Sequence, residues 1–235
     1  MGKEKFIRKR KSADKFTFKQ SIMLGVVIIA SVSIIFMQAD NASAAKKKTK
    51  QDNHYVTMSF KNGVLTVKGN GEMGDPINIT VYEGKNIKKV VIKKGVVSLP
   101  DNAFKDCKKL KKIVLPSTLK RIGARAFSNT TALESLNLPN GIKTIKEYTF
   151  EKSGIEKVNI PKTVKKIGAY AFEGCPIKNI SIPKSVKSIE PGAFASSSIK
   201  SITIPKTVKK LGEGVFGNCK KLESITMPGN IGVIK

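Results

Sequence analysis

Lysine side chains recur at a fixed spacing along this chain, and an ordered row of ammonium groups could bind a polyanion. The first register is Lys162, Lys184 and Lys206. The second is Lys143, Lys165, Lys187 and Lys209, with Lys120 in line, and a third is Arg121, Lys166 and Lys210. If residues one period apart are spatial neighbours, each register forms a column with a charge about every 5 Å. An extended polyanion would then bind with release of counterions and with steep salt dependence. The alternative is a solvated face with no ligand.

Catalytic and metal-binding chemistry lacks candidates in the sequence. His54 is the single histidine, and it lies in a lysine-rich stretch. A serine or cysteine nucleophile therefore has no second histidine to activate it. No His and Cys spacing typical of a zinc site occurs, and the carboxylates are scattered without a repeated acid/base pair. We expect a non-enzymatic protein with no cofactor and no metal.

One glycine motif matches the dinucleotide-binding fingerprint in its spacing but not in its predicted structural context. Gly69, Gly71 and Gly74 have the required spacing. The chemistry of that motif needs a helix to follow, so that its N-terminus receives the pyrophosphate. Asp75-Pro76 and a strand-like stretch at 77–81 follow instead. We therefore interpret these glycines as turn residues.

Two independent ladders indicate that the elements positioning the lysines are repeats of 22 or 23 residues. One ladder is Phe104, Phe127, Phe150, Phe172, Phe194 and Phe216. The other is Pro116, Pro139, Pro161, Pro183, Pro205 and Pro228. Because one such coil cannot bury its own apolar face, the repeat predicts a solenoid of stacked coils.

Each coil is expected to begin with a short strand. Val158 and Ile160 alternate with polar residues, and Pro161 ends the strand because it cannot donate to a ladder. Gly168 then permits a tight corner, and Phe172 lies on a short helical turn. The equivalent apolar pairs predict seven parallel strands: Val90/Ile92, Ile113/Leu115, Leu136/Leu138, Val158/Ile160, Ile180/Ile182, Ile202/Ile204 and Ile225/Met227. The phenylalanine rings are predicted to form one buried stack.

The three cysteines share one slot of this repeat. Cys107, Cys175 and Cys219 each lie three residues after a ladder phenylalanine. The last two are two coils apart, roughly 10 Å by strand spacing. Since a disulfide needs Cα atoms within about 7 Å, we predict three buried thiols without a disulfide.

Residues 1–44 are predicted to be a secretory signal peptide. Basic residues precede an apolar run at 22–37, and Ala42-Ser43-Ala44 supplies small residues for cleavage before Ala45. The run is shorter than the roughly 20 apolar residues that span a bilayer. An uncleaved membrane anchor is the alternative.

The rest of the chain divides by its pattern into three parts. Residues 45–54 are polar and basic and are predicted to be a linker. Residues 55–86 alternate around a hairpin turn at Lys61-Asn62-Gly63 and predict a small N-terminal β cap. Residues 87–235 form the predicted solenoid, whose last repeat is incomplete.

The repeat unit resembles that of the bacterial BspA-like surface leucine-rich-repeat proteins. Their unit is similar to I-x-I-P-x-x-V-x-x-I-G-x-x-A-F-x-x-C. This chain matches it at Ile160-Pro161, Val164, Ile167-Gly168, Ala171-Phe172 and Cys175. The resemblance covers about 55–235, and residues 63–74 look like the cap segment that precedes such repeats. It implies a leucine-rich-repeat solenoid in an exported or cell-surface protein of adhesion or binding. The long basic leader looks like those of Gram-positive bacteria.

Charge and fold together give the expected function. The net charge is +27, and the leader holds only eight of the 44 bases and three of the 17 acids. A field of this sign attracts polyanions, although solubility alone is the alternative. We expect a monomeric binding or adhesion module that contacts anionic cell-wall polymer, acidic glycan or a protein partner through its lysine registers. The second hypothesis is a structural or partner-docking segment of a larger surface protein, with no ligand of its own.

Two other classes of partner are not expected. No exposed aromatic column accompanies the lysines, so single-stranded nucleic acid would have no stacking platform, and sequence-specific recognition is not expected either. Membrane contact is expected only through an uncleaved leader.

Overall fold

The computed structural model describes residues 56–73, 86–229 and 232–234. The predicted signal peptide and basic linker lie outside these ranges, as do residues 55 and 74–85 of the predicted cap and residues 230, 231 and 235 of the predicted solenoid. Secondary structure within them consists of short β-strands. None of the described residues forms a helix with the length and apolar character needed to cross a bilayer.

A β-hairpin precedes the first coil of the solenoid. β1 (Val56–Lys61) and β2 (Val64–Gly69) form an antiparallel hairpin. Asn62 and Gly63 connect them with positive φ angles of 50° and 78°, the backbone shape that a tight two-residue hairpin turn requires. β2 then pairs in parallel with the first strand of the solenoid, which places Leu65 in the core.

A first stack of parallel strands follows the predicted strand positions. It consists of β4 (Lys89–Ile92), β6 (Lys112–Val114), β8 (Ser135–Asn137), β10 (Lys157–Asn159), β13 (Ser201–Thr203) and β15 (Ser224–Thr226). Hydrogen-bonded ladders join β2 to β4, β4 to β6, β8 to β10, and β13 to β15. Alternate side chains point inward, as Leu136 and Ile202 do. The predicted parallel solenoid is confirmed, but the strands of this stack form three separate hydrogen-bonded sheets and not one continuous sheet.

One predicted strand does not form a ladder. Ile182 is buried as predicted, but the segment around Ile180 has no strand pairing. Pro176 occupies the position of Gly154 and Ser198, whose N–H groups donate to the preceding coil at 3.1 and 3.3 Å. Because proline has no N–H, this coil lacks that attachment just before its strand position.

A second stack of parallel strands, not predicted from the sequence, follows the prolines. It consists of β3 (Gly71–Glu72), β5 (Val96–Leu99), β7 (Arg121–Ile122), β9 (Thr144–Ile145), β11 (Lys166–Ile167), β12 (Ser188–Ile189), β14 (Lys210–Gly212) and β16 (Gly232–Ile234). Val164 and Ile167 turn inward as predicted, and Ile167 pairs in register with Ile145 and Ile189. Most of these strands have two or three residues, which is too short for alternation to be visible in the sequence.

The predicted short helical turns at the phenylalanines are wrong: the described residues contain turns there and no helix. The N–H of Phe172 donates to Ala193 O of the next coil at 2.8 Å instead of to its own segment. Tyr170 and Gly174 flank this residue in the left-handed region, with φ of 54° and 67°. Alternation with left-handed residues prevents a right-handed helix and directs the backbone hydrogen bonds between coils.

The predicted phenylalanine stack is confirmed. The six rings lie in one file, with neighbouring centroids 5.1 to 5.9 Å apart and interplanar angles of at most 15°. The first five rings are fully buried and Phe216 is half-buried. Residues one period apart are therefore spatial neighbours, which fixes the positions of the surface registers.

Candidate ligand-binding surface

The second lysine register is a column connected through the backbone. The N–H of Lys165 donates to Lys143 O, that of Lys187 to Lys165 O, and that of Lys209 to Lys187 O, each at 2.8 Å. All four side chains are exposed. Lys120 makes the equivalent bond to Val97 O, also at 2.8 Å. The spacing of the backbone positions that carry these ammonium groups is thus set by the solenoid pitch of about 4.8 Å.

The first register lies three residues before the second, at the corner between the two stacks. Lys162, Lys184 and Lys206 each follow a ladder proline and are exposed. Next to them, the hydroxyls of Thr163 and Ser185 donate to the carbonyls of Ile142 and Val164 in the preceding coil, at 2.8 and 2.7 Å. These hydrogen bonds fix the backbone that carries the lysines.

The third register is less basic than the spacing suggests. Register pairing places Thr144 and Ser188 on either side of Lys166, so its charges do not occupy consecutive coils. Lys166 forms an ion pair with Glu190 at 2.9 Å. Arg121 forms one with Glu72. In contrast, none of the seven lysines of the first two registers has a carboxylate partner within the described residues.

The positive charge is concentrated on one part of each coil. We call the five stretches 116–122, 139–145, 161–167, 183–189 and 205–211 the proline segments. They contain eleven lysines and arginines and no aspartate or glutamate. The phenylalanine turns, residues 100–106, 123–129, 146–152, 168–174, 190–196 and 212–218, contain seven acids and four bases. Acids and bases therefore segregate by position in the coil.

The phenylalanine turns carry an aromatic column that was not predicted from the sequence. The Arg125 guanidinium carbon lies 4.0 Å from the centroid of the Tyr148 ring, and the Tyr148 and Tyr170 rings stack with centroids 5.1 Å apart. The Tyr170 ring covers Gly192, where a Cβ would lie 2.3 Å from Cε1 of that ring. The 22-residue spacing of the two tyrosines, each two residues before a ladder phenylalanine, was the available signal. Arg125 and Tyr170 cover the two faces of the Tyr148 ring, and Tyr148 and Gly192 cover those of the Tyr170 ring. Neither ring therefore has a free face on which a ligand could stack.

The cysteines form no disulfide, as predicted. Cys175 is buried, but Cys107 and Cys219 are half-buried, so the prediction of burial is wrong for these two. Cys175 Sγ donates to Phe150 O at 2.9 Å and lies 3.3 Å from Ser153 Oγ. Burial raises the pKa of the Cys175 thiol to about 12. A buried thiol that stays protonated at neutral pH packs in the core and does not act as a nucleophile.

The remaining candidates from the sequence are the histidine, the glycine motif and metal binding. His54 and Gly74 lie outside them. Gly69 ends β2 and Gly71 begins β3, and no helix follows them there to receive a phosphate. No group of three His, Cys, Asp or Glu residues within 56–73, 86–229 and 232–234 is placed to hold a metal ion.

These features define a class: a leucine-rich-repeat solenoid of stacked parallel β-coils that presents repeated surface columns. The family model described as the BspA type leucine rich repeat region matches residues 75–155 and 143–235, in six copies. The chain belongs to this family. It is therefore a repeat-based binding or structural module. Among curated proteins, none matches this chain.

Three solved structures show the same fold. A leucine rich cell surface protein from Faecalibacterium prausnitzii A2-165 is 22% identical, with a TM-score of 0.59, covering 78% of this chain and 56% of that one. A leucine-rich repeat protein from Bacteroides ovatus ATCC 8483 is 27% identical, with a TM-score of 0.55, covering 78% and 54%. The T. pallidum leucine rich repeat protein is 24% identical, with a TM-score of 0.56, covering 77% and 82%. The chain thus spans little more than half the length of the first two.

Proposed function

We propose that this protein is a surface-displayed, non-enzymatic binding or adhesion module whose proline segments contact an anionic polymer of a cell wall or an acidic glycan. The observation that carries the proposal is the acid-free composition of these segments. Their eleven basic residues lie on five consecutive coils, and the seven lysines of the first two registers are exposed and have no carboxylate partner among the described residues.

Two observations support display at the surface. Residues 1–44 have the basic, apolar and small-residue order of a secretory leader. One solved structure with the same fold is described as a leucine rich cell surface protein.

The geometry suits an extended ligand better than a compact one. Lysine columns that repeat at about 4.8 Å present a linear series of charges, whereas a small anion would use only one or two of them. A polyanion that bridges several coils releases its counterions together, so its affinity depends steeply on salt. Like charges at this spacing repel each other, and a bound polyanion would relieve that repulsion.

A second candidate function is partner docking without a ligand of its own. Ile225 and Met227, at the last described strand of the first stack, are 37% and 50% exposed. The equivalent Ile202 and Ile204 are 4% and 2% exposed. An apolar surface of this kind would suit a protein partner.

Charge reversal with a matched control tests the polyanion proposal. The ridge variant carries Lys165→Glu, Lys187→Glu and Lys209→Glu, and the control carries Lys111→Glu, Lys178→Glu and Lys200→Glu. The control lysines are also exposed and precede strand positions of the first stack, where Glu134, Glu156 and Glu223 share their register. Both variants change the net charge equally.

Binding of purified protein to immobilised heparin is measured over a salt gradient. We expect the ridge variant to elute at much lower salt than the control, which should remain close to the unaltered protein. Equal elution of the two variants would mean that net charge alone determines retention, and the proposal would fail.

A further inference from the structure

The outward face of the first stack changes its chemistry along the solenoid. In β4 and β6 the outward positions hold lysine and valine. From β8 onward the ten outward positions are all exposed, and nine of them hold serine, threonine or asparagine. They are Ser135, Asn137, Lys157, Asn159, Asn179, Ser181, Ser201, Thr203, Ser224 and Thr226. An uncharged polar face of this extent stands out in a protein with a net charge of +27.

The hydrogen-bonding groups of this face are unused. None of these nine side chains donates to or accepts from another group in the described part of the chain. The hydroxyls of Thr118, Thr163 and Ser185, by contrast, each donate to a carbonyl of the preceding coil. The face therefore presents donors and acceptors in register, about 4.8 Å apart from strand to strand, to whatever lies against it.

One column of this face lies beside the first lysine register. Asn159, Ser181 and Thr203 stand two residues before the ladder prolines, and Lys162, Lys184 and Lys206 stand one residue after the same prolines. The members of each pair are three positions apart in the sequence, so their Cα atoms are at most about 11 Å apart. The coil of Pro116 has Val114 and Ser117 at these two positions and lacks both features. A neutral polar side chain thus accompanies the lysine in all three coils that carry one after the proline.

The two columns differ in the ligand groups they can pair with. An ammonium group only donates hydrogen bonds and complements a carboxylate or phosphate. Hydroxyl groups both donate and accept, and a carboxamide has two donors and an acceptor oxygen, so these groups complement hydroxyls. A polyphosphate offers acceptors alone and supplies no donor to the Asn159 oxygen. An acidic polysaccharide offers both kinds of group along one chain.

We propose that the ligand of this surface is an acidic polysaccharide. Its carboxylates bind Lys162, Lys184 and Lys206, and its hydroxyls bind Asn159, Ser181 and Thr203 of the adjacent column. The inference rests on the proposed function, because it takes the first lysine register as part of the anionic-polymer site. It adds the requirement that the polymer carries hydroxyl groups next to its charges.

The test removes the neutral groups without changing the charge. The test variant carries Asn159→Val, Ser181→Ala and Thr203→Val. The matched control carries Ser135→Ala, Asn137→Val and Thr226→Val, which lie on the same face in coils with no lysine after the proline. Val and Ala avoid backbone strain in extended segments, and unchanged thermal unfolding midpoints verify that both variants are folded.

Affinity is measured for polygalacturonate, which has carboxylates and hydroxyls, and for polyphosphate, which has charge alone. At about 0.5 to 1.5 kcal/mol per hydrogen bond, loss of three bonds should weaken polygalacturonate binding roughly 10-fold to 1,000-fold. Polyphosphate binding by the test variant should be unchanged, and the control should bind both polymers like the unaltered protein.

The outcomes separate this inference from the proposed function. If the test variant binds polygalacturonate as the unaltered protein does, or if the control loses as much, the inference is overturned. If the variant with Lys165→Glu, Lys187→Glu and Lys209→Glu still binds both polymers, the proposed function itself fails. If the unaltered protein binds neither polygalacturonate nor polyphosphate, both the inference and the proposed function are overturned.

Discussion

Two coils with the same sequence pattern differ sharply in their surroundings. Phe172, in a central coil, is fully buried and stacks on both sides, with ring centroids 5.1 Å from Phe150 and 5.4 Å from Phe194. Phe216, in the last coil that has a ladder phenylalanine, is half-buried and stacks on Phe194 at 5.9 Å. Identical slots thus have different environments. A residue in a repeat protein derives its burial from the coils beside it and not from its own coil.

The largest expected difference between the two coils concerns the rings themselves. Phe172→Ala removes a fully buried ring with a neighbour on each face and should cost about 3–5 kcal/mol of unfolding free energy. Phe216→Ala removes a half-buried ring and should cost roughly 1–2 kcal/mol. Urea unfolding followed by circular dichroism measures both. Equal losses for the two variants would show that the last coil is packed as tightly as the centre, and the contrast would fail.

The thiols provide the next contrast. Because burial raises the pKa of Cys175 from 9.0 to about 12, its thiolate fraction at pH 8 is only about one in ten thousand. Cys219 is half-buried in the equivalent slot. We expect iodoacetamide to modify Cys219 at least about 100-fold faster than Cys175 in the folded protein. Mass spectrometry of peptides from a time course gives both rates, and comparable rates would contradict the burial difference.

The same shift in pKa predicts a loss of stability in alkali. The folded state holds the Cys175 proton more tightly than the unfolded state, so the thiol contributes its full stability below pH 9. That contribution is lost as the pH rises from 9 towards 12. Cys175→Thr, which places the residue found at the equivalent Thr130, serves as the reference. If the two proteins lost stability in parallel over this range, the thiol would not be responsible.

Sequence spacing predicted what depends on period alone. The phenylalanine file and the lysine columns follow directly from a spacing of 22 or 23 residues, because stacking makes residues one period apart spatial neighbours. Burial at the ends could not be predicted in this way, and Cys219 shows why: its slot is the same as that of Cys175, but the covering coil differs. The second strand stack escaped prediction because strands such as Lys166–Ile167 are too short to alternate. The turn at Phe172 looked helical since left-handed φ at Tyr170, a non-glycine residue, has no clear sequence signature.

The candidate surface was also predictable only in part. Lys162, Lys184 and Lys206 were visible because charge recurs after proline, and their exposure agrees with that pattern. The spacing of the lysines does not predict which of them form ion pairs with carboxylates. Lys166 shares a proline segment with Lys165, yet it pairs with Glu190 from the next phenylalanine turn. Such a contact depends on how two different parts of adjacent coils meet.

The smallest contrast concerns one hydroxyl. Thr163 Oγ1 donates to Ile142 O at 2.8 Å, whereas Thr207 Oγ1, two coils further on, is the one buried side-chain N or O atom in the described residues without a partner. Thr163→Val should cost about 1 kcal/mol, because it leaves a carbonyl of the preceding coil without its donor. Thr207→Val removes no bond and replaces an unsatisfied hydroxyl with a methyl group, so it should be neutral or slightly stabilising. Unfolding midpoints measured on both variants in the same buffer decide the matter. An equal loss at the two positions would mean that the hydroxyl of Thr207 finds its carbonyl in solution, and that the attachment between coils extends unchanged to that part of the solenoid.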